Sequence, residues 1–564
     1  MPQGPAIAAD RAGATSRGLA VLAAYVAVTG VMTWPYVDYA HLTTASYEGD
    51  ARLVVWMLAW ANHAVLDGLP LMRSNIYWPA PLTLQYNEHL LGPSLFSLPW
   101  AAAGASPVLA YTATWWLAFV LNGVSAHLWL RRAVSGDLAA FAGSLVFMCS
   151  FFVMLHAHGH LQLIWLWPLP LSLLLFERWY AVPTLGRLAP WVAVLILQLL
   201  GSGYLVLIGL LAHALLLAWL TLSAPADGAD SASGPRGWAR RFAHLGIAAG
   251  VIAASVLPLA RAYLGLSAQP GELQNATLAS YLVPPANTLV GRWWLAHVDG
   301  RPGSIWGETT LFLGWIALSL ALAGVVAAVR IRTWRGRSGL FAVLAAGGLL
   351  LSLGPSLTFL GTTVPGPFGW VAALPGFSGV RAPARFAVLV TLGVAGLTAL
   401  GAERLLAAGR RARAAVVLLV PAMLAEWFVV DFPAGPPPSH PVPAIYAALP
   451  ADGDGAVVSL PDYRATATPY RNSDYLLYST THWRPIVNGF GRAEPPGHAD
   501  VVHTMRGFPA TAERMAALGV RFVVVHAARH PDGAAAMLAA AATHPWCRLR
   551  ARIGDDYLFE LGPP

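Results

Sequence analysis

Eleven long apolar runs constrain this chain more than any other feature of its sequence. A helix that crosses a bilayer needs about 17–25 predominantly apolar residues. Runs of about this length occupy residues 18–34, 107–130, 137–155, 161–178, 187–201, 203–222, 243–262, 309–329, 338–354, 385–402 and 413–430. Only 11% of the residues are charged, which is too few to cover the surface of a soluble protein of this size. The sequence therefore predicts an all-α polytopic membrane domain with about 11 transmembrane helices.

Arginines give the predicted orientation, because short loops on the cytoplasmic side carry an excess of basic residues. The arginine-rich loops lie at residues 131–132, 178–187, 236–241, 330–337 and 404–413. The net charge of +8 is thus explained by membrane orientation, and no nucleic-acid partner is predicted. The N-terminus is predicted to be cytoplasmic and the C-terminus external.

Two shorter apolar segments, residues 51–66 and 89–104, are ambiguous. If the arginine-rich loops are all to lie on the cytoplasmic side, either both segments span the membrane or neither does. We predict that neither spans, and that both form amphipathic interfacial helices within one long first external loop. Thirteen spans are the alternative.

The C-terminal fifth of the chain has a soluble composition. A Pro-rich linker is predicted at 431–443, followed by a small external α/β domain at 444–564. Strands are predicted at 456–460, 520–525 and 557–561, and helices at 510–518 and 534–542.

Acidic residues of the first external loop are the leading candidates for chemistry. Asp38, Glu48 and Asp50 follow the first span. A carboxylate at a membrane surface can take a proton from an acceptor hydroxyl or amine. Asp50 is also suited to cap the helix predicted at 51–66, because Asp is a favoured N-cap; both interpretations stay open.

Charged residues at the outer ends of later spans are a second group. Arg381 and Arg385 are four residues apart, on one helical face if the helix includes both, and Arg suits bidentate contact with phosphate. Interfacial snorkelling is the alternative. Glu308 is either a cavity carboxylate or, as we favour, a first-turn acid stabilised by a helix dipole.

Three histidines, His156, His158 and His160, alternate in a short external turn. Imidazole clusters bind zinc and similar metals. Gly159 predicts a turn, and no acid stands beside the cluster, so an interfacial loop or a substrate hydrogen-bonding site is favoured over a metal centre. The chain also carries no Walker A loop and no dinucleotide fingerprint.

The arrangement resembles the GT-C superfamily of membrane glycosyltransferases. The resemblance covers residues 1–262: an outward span, a long external loop with an acidic motif and two interfacial helices, then six spans. Residues 263–430 would add an external loop and four further spans. The segments 75–81, 87–89 and 381–386 also look like bacterial membrane proteins of this kind.

This resemblance implies transfer of a sugar from a polyprenyl-phosphate carrier to a glycan, lipid or protein acceptor, at the external face of a bacterial inner membrane. It assigns the catalytic acid/base to Asp50, then Glu48. Substrate binding would involve Arg381, Arg385, Asp38, His89 and Glu308. A divalent-metal requirement stays open, since the superfamily includes metal-dependent and metal-free members.

The chain departs from the glycosyltransferase 39 branch, which has an adjacent Asp-Glu pair and a Lys-Pro-Pro-Leu-like loop. Here Gly49 separates Glu48 from Asp50, and the loop at 79–82 has no Lys. The oligosaccharyltransferase Trp-Trp-Asp motif is also absent, because Leu295 follows Trp293-Trp294.

Two other functions compete with glycosyl transfer. A transporter or flippase for a lipid-linked or polar solute needs ionisable residues inside its spans, of which His127 and His213 are the chief candidates. A non-catalytic scaffold for envelope assembly would use the 444–564 domain to bind a partner, and Asp50 would then be only a cap.

Overall fold

The computed structural model describes the chain in two compact units. It covers residues 4–34, 36, 49–223, 235–263, 272–298, 307–331, 335–359, 362–373, 380–430, 442–451, 454–464, 466–530 and 533–563. Unit 1 comprises Met1–Asp38, Trp115–Pro258 and Pro270–Phe432, and unit 2 comprises Tyr39–Thr114, Leu259–Gln269 and Pro433–Pro564. The predicted domain boundaries stay predictions, and most of the predicted linker lies outside the described residues.

Helices are the predominant secondary structure in both units. They are α1 (Gly4–Met32), α2 (Gly49–Leu66), α3 (Leu91–Ala102), α4 (Pro107–Leu130), α5 (Asp137–Cys149), α6 (Phe151–His156), α7 (Leu161–Ile164), α8 (Pro168–Ala181), α9 (Leu185–Leu199), α10 (Gly203–Leu222), α11 (Pro235–Tyr263), α12 (Leu278–Leu282), α13 (Leu289–His297), α14 (Trp315–Arg330), α15 (Arg335–Ser352), α16 (Pro367–Ala372), α17 (Ala387–Leu406), α18 (Arg410–Trp427), α19 (Asn472–Ser479), α20 (His498–Arg506), α21 (Ala512–Ala517) and α22 (Ala535–Thr543). The strands are β1 (Ser356–Phe359), β2 (Thr362–Pro365), β3 (Ala456–Leu460), β4 (Val520–His526), β5 (Cys547–Ile553) and β6 (Asp556–Leu561).

Six helical segments of the described residues are long and apolar enough to cross a membrane. They are Thr15–Met32, Pro107–Leu130, Asp137–His156, Gly203–Leu222, Gly237–Tyr263 and Pro383–Leu406. Three shorter apolar helices, α9, α14 and the greater part of α15, coincide with further predicted runs. The chain is a multi-pass membrane protein, and the total of eleven spans stays a prediction.

The interruptions of two predicted spans have a clear backbone cause. The run at 161–178 is divided between α7 and α8, because Pro168 and Pro170 lack the N–H that a continuous helix would need. The run at 309–329 becomes helical only at Trp315. The residue before it, Gly314, has a φ of 86°, which favours glycine and stops the helix from extending backward.

Helix α17 is the central helix of unit 1 and is buried along almost its whole length. It packs against α5, α14 and α15, and glycines permit the close approach. A Cβ atom added at Gly401 would lie 1.9 Å from the carbonyl oxygen of Leu320, and one at Gly393 would lie 2.4 Å from that of Phe341. Small residues at helix contacts are typical of membrane bundles, where apolar side chains gain little by leaving lipid.

A carboxylate from another helix caps α14. Glu426 of α18 accepts hydrogen bonds from the backbone N–H groups of Trp315 at 2.9 Å and Ile316 at 3.1 Å. These are donors that the first turn of a helix leaves without intrahelical partners. The side chain of Glu426 thus replaces a local N-cap residue.

The sheet of unit 2 has four strands in the order β3-β4-β6-β5. Strands β3 and β4 are parallel, while β4–β6 and β5–β6 are antiparallel. Strands β3, β4 and β6 and helices α21 and α22 lie where the sequence predicts them. Strand β5 was not predicted, because Arg548, Arg550 and Arg552 alternate along it and obscure the apolar signal.

Residues distant in sequence hold unit 2 together. The side chain of Asn75 donates to Ser479 Oγ at 3.0 Å, and Trp78 Nε1 donates to the carbonyl oxygen of Leu518 at 2.8 Å. Helix α2 packs against α3 and α19 and is buried except at its last turn. This burial on all faces corrects the prediction of a one-sided amphipathic helix at residues 51–66.

Replacing Gly401 by Ala should destabilise unit 1, because the new methyl group would overlap the Leu320 carbonyl. We expect a loss of about 1–3 kcal/mol, measured as a lower thermal unfolding midpoint of the purified protein in detergent. Gly250→Ala on α11 is the matched control, since nothing lies within 4 Å of its added Cβ. Equal midpoints for the two variants would contradict the packing described for α17.

Candidate functional site

An ion pair between Glu308 and Arg385 forms the centre of the candidate site in unit 1. Glu308 lies on the 3-10 helix Gly307–Thr309, and Arg385 on the 3-10 helix Pro383–Phe386 that leads into α17. Arg385 Nε donates to Glu308 Oε2 at 2.9 Å, and Nη2 donates to Oε1. Both side chains are largely buried, with 17% and 13% of their surfaces exposed. This fork-to-fork geometry fixes the plane of the guanidinium.

His156 is the third member of this cluster and ends α6. Its Nδ1 lies 2.7 Å from the carbonyl oxygen of Phe152, which can only accept, so Nδ1 carries a hydrogen. Its Nε2 lies 3.0 Å from Glu308 Oε2. Because Nδ1 carries a hydrogen, Nε2 can donate to the ionised carboxylate only when the imidazole also holds its second proton.

The ring of Tyr204 packs against the guanidinium of Arg385. The centre of its ring is 4.2 Å from Arg385 Cζ, a cation–π distance. Its hydroxyl accepts hydrogen bonds from the backbone N–H groups of Arg381 at 3.1 Å and Ala382 at 3.3 Å. Tyr204 thus holds both the side chain of Arg385 and the backbone that precedes it.

Arg381 does not share a helical face with Arg385, because the helix begins only at Pro383. Its side chain is exposed. Its carbonyl oxygen accepts from the N–H of Gln274 at 3.0 Å, and the carbonyl of Gln274 accepts from Ala384 at 3.0 Å. The condition for a shared face, a helix that includes both arginines, is therefore not met, and Glu308 is the partner of Arg385.

The electrostatics of the cluster keep Glu308 ionised. Burial by itself raises the pKa of Glu308, but its hydrogen bonds with Arg385 and His156 and their charges outweigh burial, so the pKa lies well below its ordinary value. The favoured prediction, a first-turn acid stabilised by a helix dipole, is thus incomplete: this carboxylate chiefly serves Arg385 and His156.

The other two histidines of the turn make contacts different from those of His156. His158 Nδ1 lies 3.1 Å from the carbonyl oxygen of Leu155, and the ring of His160 meets that of His156 edge-on at 5.9 Å. Among the described residues, no group of three or more His, Cys, Asp or Glu side chains could hold a metal ion.

Asp50 belongs to unit 2, where it lies in the first turn of α2 and is half-buried. A helix N-terminus favours such an acid. The preceding residue, Gly49, packs so closely on Tyr470 that an added Cβ would lie 2.5 Å from its carbonyl oxygen. One turn further, Arg52 pairs with Asp474. The start of α2 is therefore fixed against the segment that leads into α19.

The remaining predicted residues have different outcomes. Glu48 and Asp38 lie outside the described residues. His89 Nδ1 accepts a hydrogen bond from the backbone N–H of Leu91 at 3.1 Å, at the start of α3. Burial lowers the pKa of His89 to about 4, so its ring is neutral at pH 7. This geometry gives His89 a helix-capping role, and its predicted substrate contact stays a prediction.

Sequence reasoning missed Tyr204 and Asp474. Tyr204 directly follows the Gly201-Ser202-Gly203 turn between α9 and α10. An aromatic residue next to such a turn could have marked it as a candidate site residue. Asp474 also accepts from Arg529 at 3.3 Å, and neither arginine partner is near it in sequence. A pairing of this kind has no local sequence signal.

No protein-family model and no curated protein matches the chain. Several solved structures, however, align with it. The chain aligns over 96% of its length with the arabinofuranosyltransferase AftD from Mycobacteria, at 15% identity and a TM-score of 0.57, and spans 40% of that protein's length. It also aligns with the apo oligosaccharyltransferase of Archaeoglobus fulgidus (12% identity, 90% of this chain, 69% of that chain, TM-score 0.47). A further alignment is with apo ArnT from Cupriavidus metallidurans (14% identity, 98% of this chain, 100% of that chain, TM-score 0.47).

Replacing Glu308 by Gln should lower the free energy of unfolding by about 3 kcal/mol at pH 7, because Arg385 loses a buried counter-charge. The readout is the thermal unfolding midpoint in detergent. Since the pKa of Glu308 is depressed in the folded state, its contribution is present above the unfolded-state pKa of about 4.3 and declines as pH falls below that value.

The difference between wild type and Glu308→Gln should therefore shrink in acid. Glu272→Gln, at an exposed position of the same unit, is the control and should match wild type throughout. A Glu308→Gln midpoint equal to that of wild type at pH 7 would show that the ion pair contributes no stability.

Proposed function

The chain has the fold of the GT-C membrane glycosyltransferases, as its sequence predicts, and we propose that it transfers a sugar from a polyprenyl-phosphate carrier to an acceptor at the external face of a bacterial inner membrane. The observation that carries this proposal is the alignment of 96% of the chain with an arabinofuranosyltransferase at a TM-score of 0.57. The clusters around Asp50 and Arg385 supply residue types that the reaction needs.

In this reaction Asp50 acts as the general base. Its carboxylate takes the proton from an acceptor hydroxyl, and the oxygen forms a bond to the anomeric carbon of the sugar. The bond between that carbon and the phosphate oxygen breaks, and the polyprenyl phosphate leaves with the electron pair. Attack from the face opposite the phosphate inverts the anomeric configuration. Glu48 is the second candidate for this role, and Asp38 is a candidate for substrate binding.

Arg385 is the residue we propose for the leaving phosphate, and Glu308 and Tyr204 position it. Glu308 engages the edge of the guanidinium formed by Nε and Nη2, which orients a second edge, formed by Nη1 and Nη2, for a bidentate contact with phosphate oxygens. Developing negative charge on the leaving group would be stabilised there. Arg381 is the alternative phosphate ligand, because its side chain is exposed and its backbone N–H is held by the same Tyr204 hydroxyl.

Replacing Asp50 by Asn should reduce sugar transfer by about 10²–10⁴-fold, the usual contribution of a general base. The assay uses purified protein in lipid nanodiscs with a panel of radiolabelled polyprenyl-phosphate and polyprenyl-diphosphate sugars. Asp67→Asn, an exposed acid just beyond the other end of α2, is the matched control and should keep wild-type turnover. Full activity in Asp50→Asn would move the assignment to Glu48.

Replacing Arg385 by Lys should raise the donor KM about tenfold, equivalent to ~1.4 kcal/mol, because an ammonium group cannot make the bidentate contact. The comparison is with Arg381→Lys in the same assay, and the variant with the larger donor KM identifies the phosphate contact. Arg404→Lys, exposed at the opposite end of α17, is the control. Unchanged donor KM in both the 381 and 385 variants would reject arginine as the phosphate ligand.

A further inference from the structure

A cleft of about 910 Å³ opens at one end of the unit 2 sheet. It lies where the parallel strands β3 and β4 begin and where β6 ends. Its lining includes Trp78, Trp546, Arg484, Arg521, Asp454 and Glu513. The volume is at the upper end of the ~300–1,000 Å³ range of ligand sites, so it suits a short chain of several rings better than a single small molecule.

One aromatic wall of the cleft is rigid. Trp78 Nε1 donates to the carbonyl oxygen of Leu518 at 2.8 Å, and its backbone N–H donates to Ile486 at 3.0 Å. Gly519, with a φ of +83°, lets the indole approach, since an added Cβ would lie 3.3 Å from Trp78 Nε1. A planar apolar face held in place loses little entropy when a ligand stacks on it.

The charges that line the cleft balance. Arg484 and Arg521 lie 5.2 and 5.4 Å from the ring of Phe522, and Arg521 is further held by Glu560 at 3.0 Å. Asp454 and Glu513 are exposed. The charged side chains that line the cleft are thus two arginines and two carboxylates, although Arg484 is buried and already donates to the carbonyl oxygen of Pro450. Arg521 and the two exposed carboxylates offer both donors and acceptors, which suits hydroxyl groups, because a hydroxyl both donates and accepts.

The edge of the sheet beside the cleft is already occupied. The N–H of Val457 donates to Pro485 at 2.8 Å, and the N–H of Val487 donates to Val457 at 3.0 Å. A peptide that binds by adding a strand needs an open edge with unpaired backbone groups. Strand β3 does not offer one here, so the cleft favours a ligand recognised through ring faces and hydroxyls.

We propose that this cleft binds a neutral oligosaccharide, which stacks on Trp78 and Trp546 and exchanges hydrogen bonds with the balanced arginines and carboxylates. Describing that oligosaccharide as the acceptor for sugar transfer rests on the proposed function. Binding itself does not, so it can be measured with no donor present.

The test titrates the full-length protein in nanodiscs with neutral arabino-, manno- and gluco-oligosaccharides by calorimetry. We expect saturable binding of at least one of them. Trp546→Ala should weaken it about tenfold, the loss of roughly 1.4 kcal/mol of aromatic contact, whereas Trp546→Phe, which keeps an aromatic ring, should stay close to wild type. Trp370→Ala, at a 71% exposed tryptophan of unit 1, should bind as wild type does.

Because Trp546 also packs against the core of unit 2, the unfolding midpoint of each variant is measured alongside. If Trp546→Ala is unstable, Glu513→Gln at the exposed rim provides the second variant, and weaker binding is expected from it. The proposal is overturned if no neutral oligosaccharide binds saturably, if both variants bind as tightly as wild type, or if only acidic oligosaccharides or peptides bind. Transfer activity without oligosaccharide binding would overturn this site and leave the proposed function standing.

Discussion

The close packing of α17 is the constraint on which the rest of unit 1 depends. Its glycines bring α14 and α15 to within backbone contact, so the helix has no room to rotate or slide. Arg385 stands at the entrance of this helix, and its position is therefore fixed by an extended contact surface and not by a loop. At the other end, Glu403 accepts from the backbone N–H of Ser135 at 3.0 Å, beside the start of α5. One rigid element thus positions the candidate phosphate ligand at one end and ties down a neighbouring span at the other.

Carboxylates in unit 1 act repeatedly on structure contributed by another part of the chain. Glu426 caps α14, Glu403 binds the residues that precede α5, and Glu308 orients Arg385. In a medium with little water, an unpaired N–H or guanidinium costs much more than it does at a soluble surface. A single carboxylate that accepts several hydrogen bonds removes several such costs at once. Each of these three carboxylates therefore stabilises a group contributed by a distant part of the chain.

Sequence reasoning found the elements whose signals are local. The long apolar runs, the Gly201-Ser202-Gly203 turn, and strands β3, β4 and β6 follow from periodicity and turn residues within one segment. It failed at Pro168, where a composition-based span ignores a missing N–H, and at β5, where alternating arginines mask a strand. For the site, the sequence nominated Glu308 and Arg385 but could not pair them, because 77 residues separate them. Tyr204 contacts Arg381, which is 177 residues away in sequence, and Asp474 contacts Arg52, which is 422 residues away. A single sequence carries no local signal for contacts over such separations.

The discontinuity of unit 2 has a consequence for biogenesis. Asn75 and Trp78 bond to partners 404 and 440 residues later in the chain, so the segment around α2 cannot reach its final state while the ribosome is still making the spans between them. Closing such a long loop costs entropy that short-range contacts do not repay. At about 5–20 residues per second, the early segment waits on the order of tens of seconds before its partners exist. During that interval the apolar faces of α2 need shielding, by lipid or by an assembly factor, because the unpartnered segment is exposed to misfolding and proteolysis.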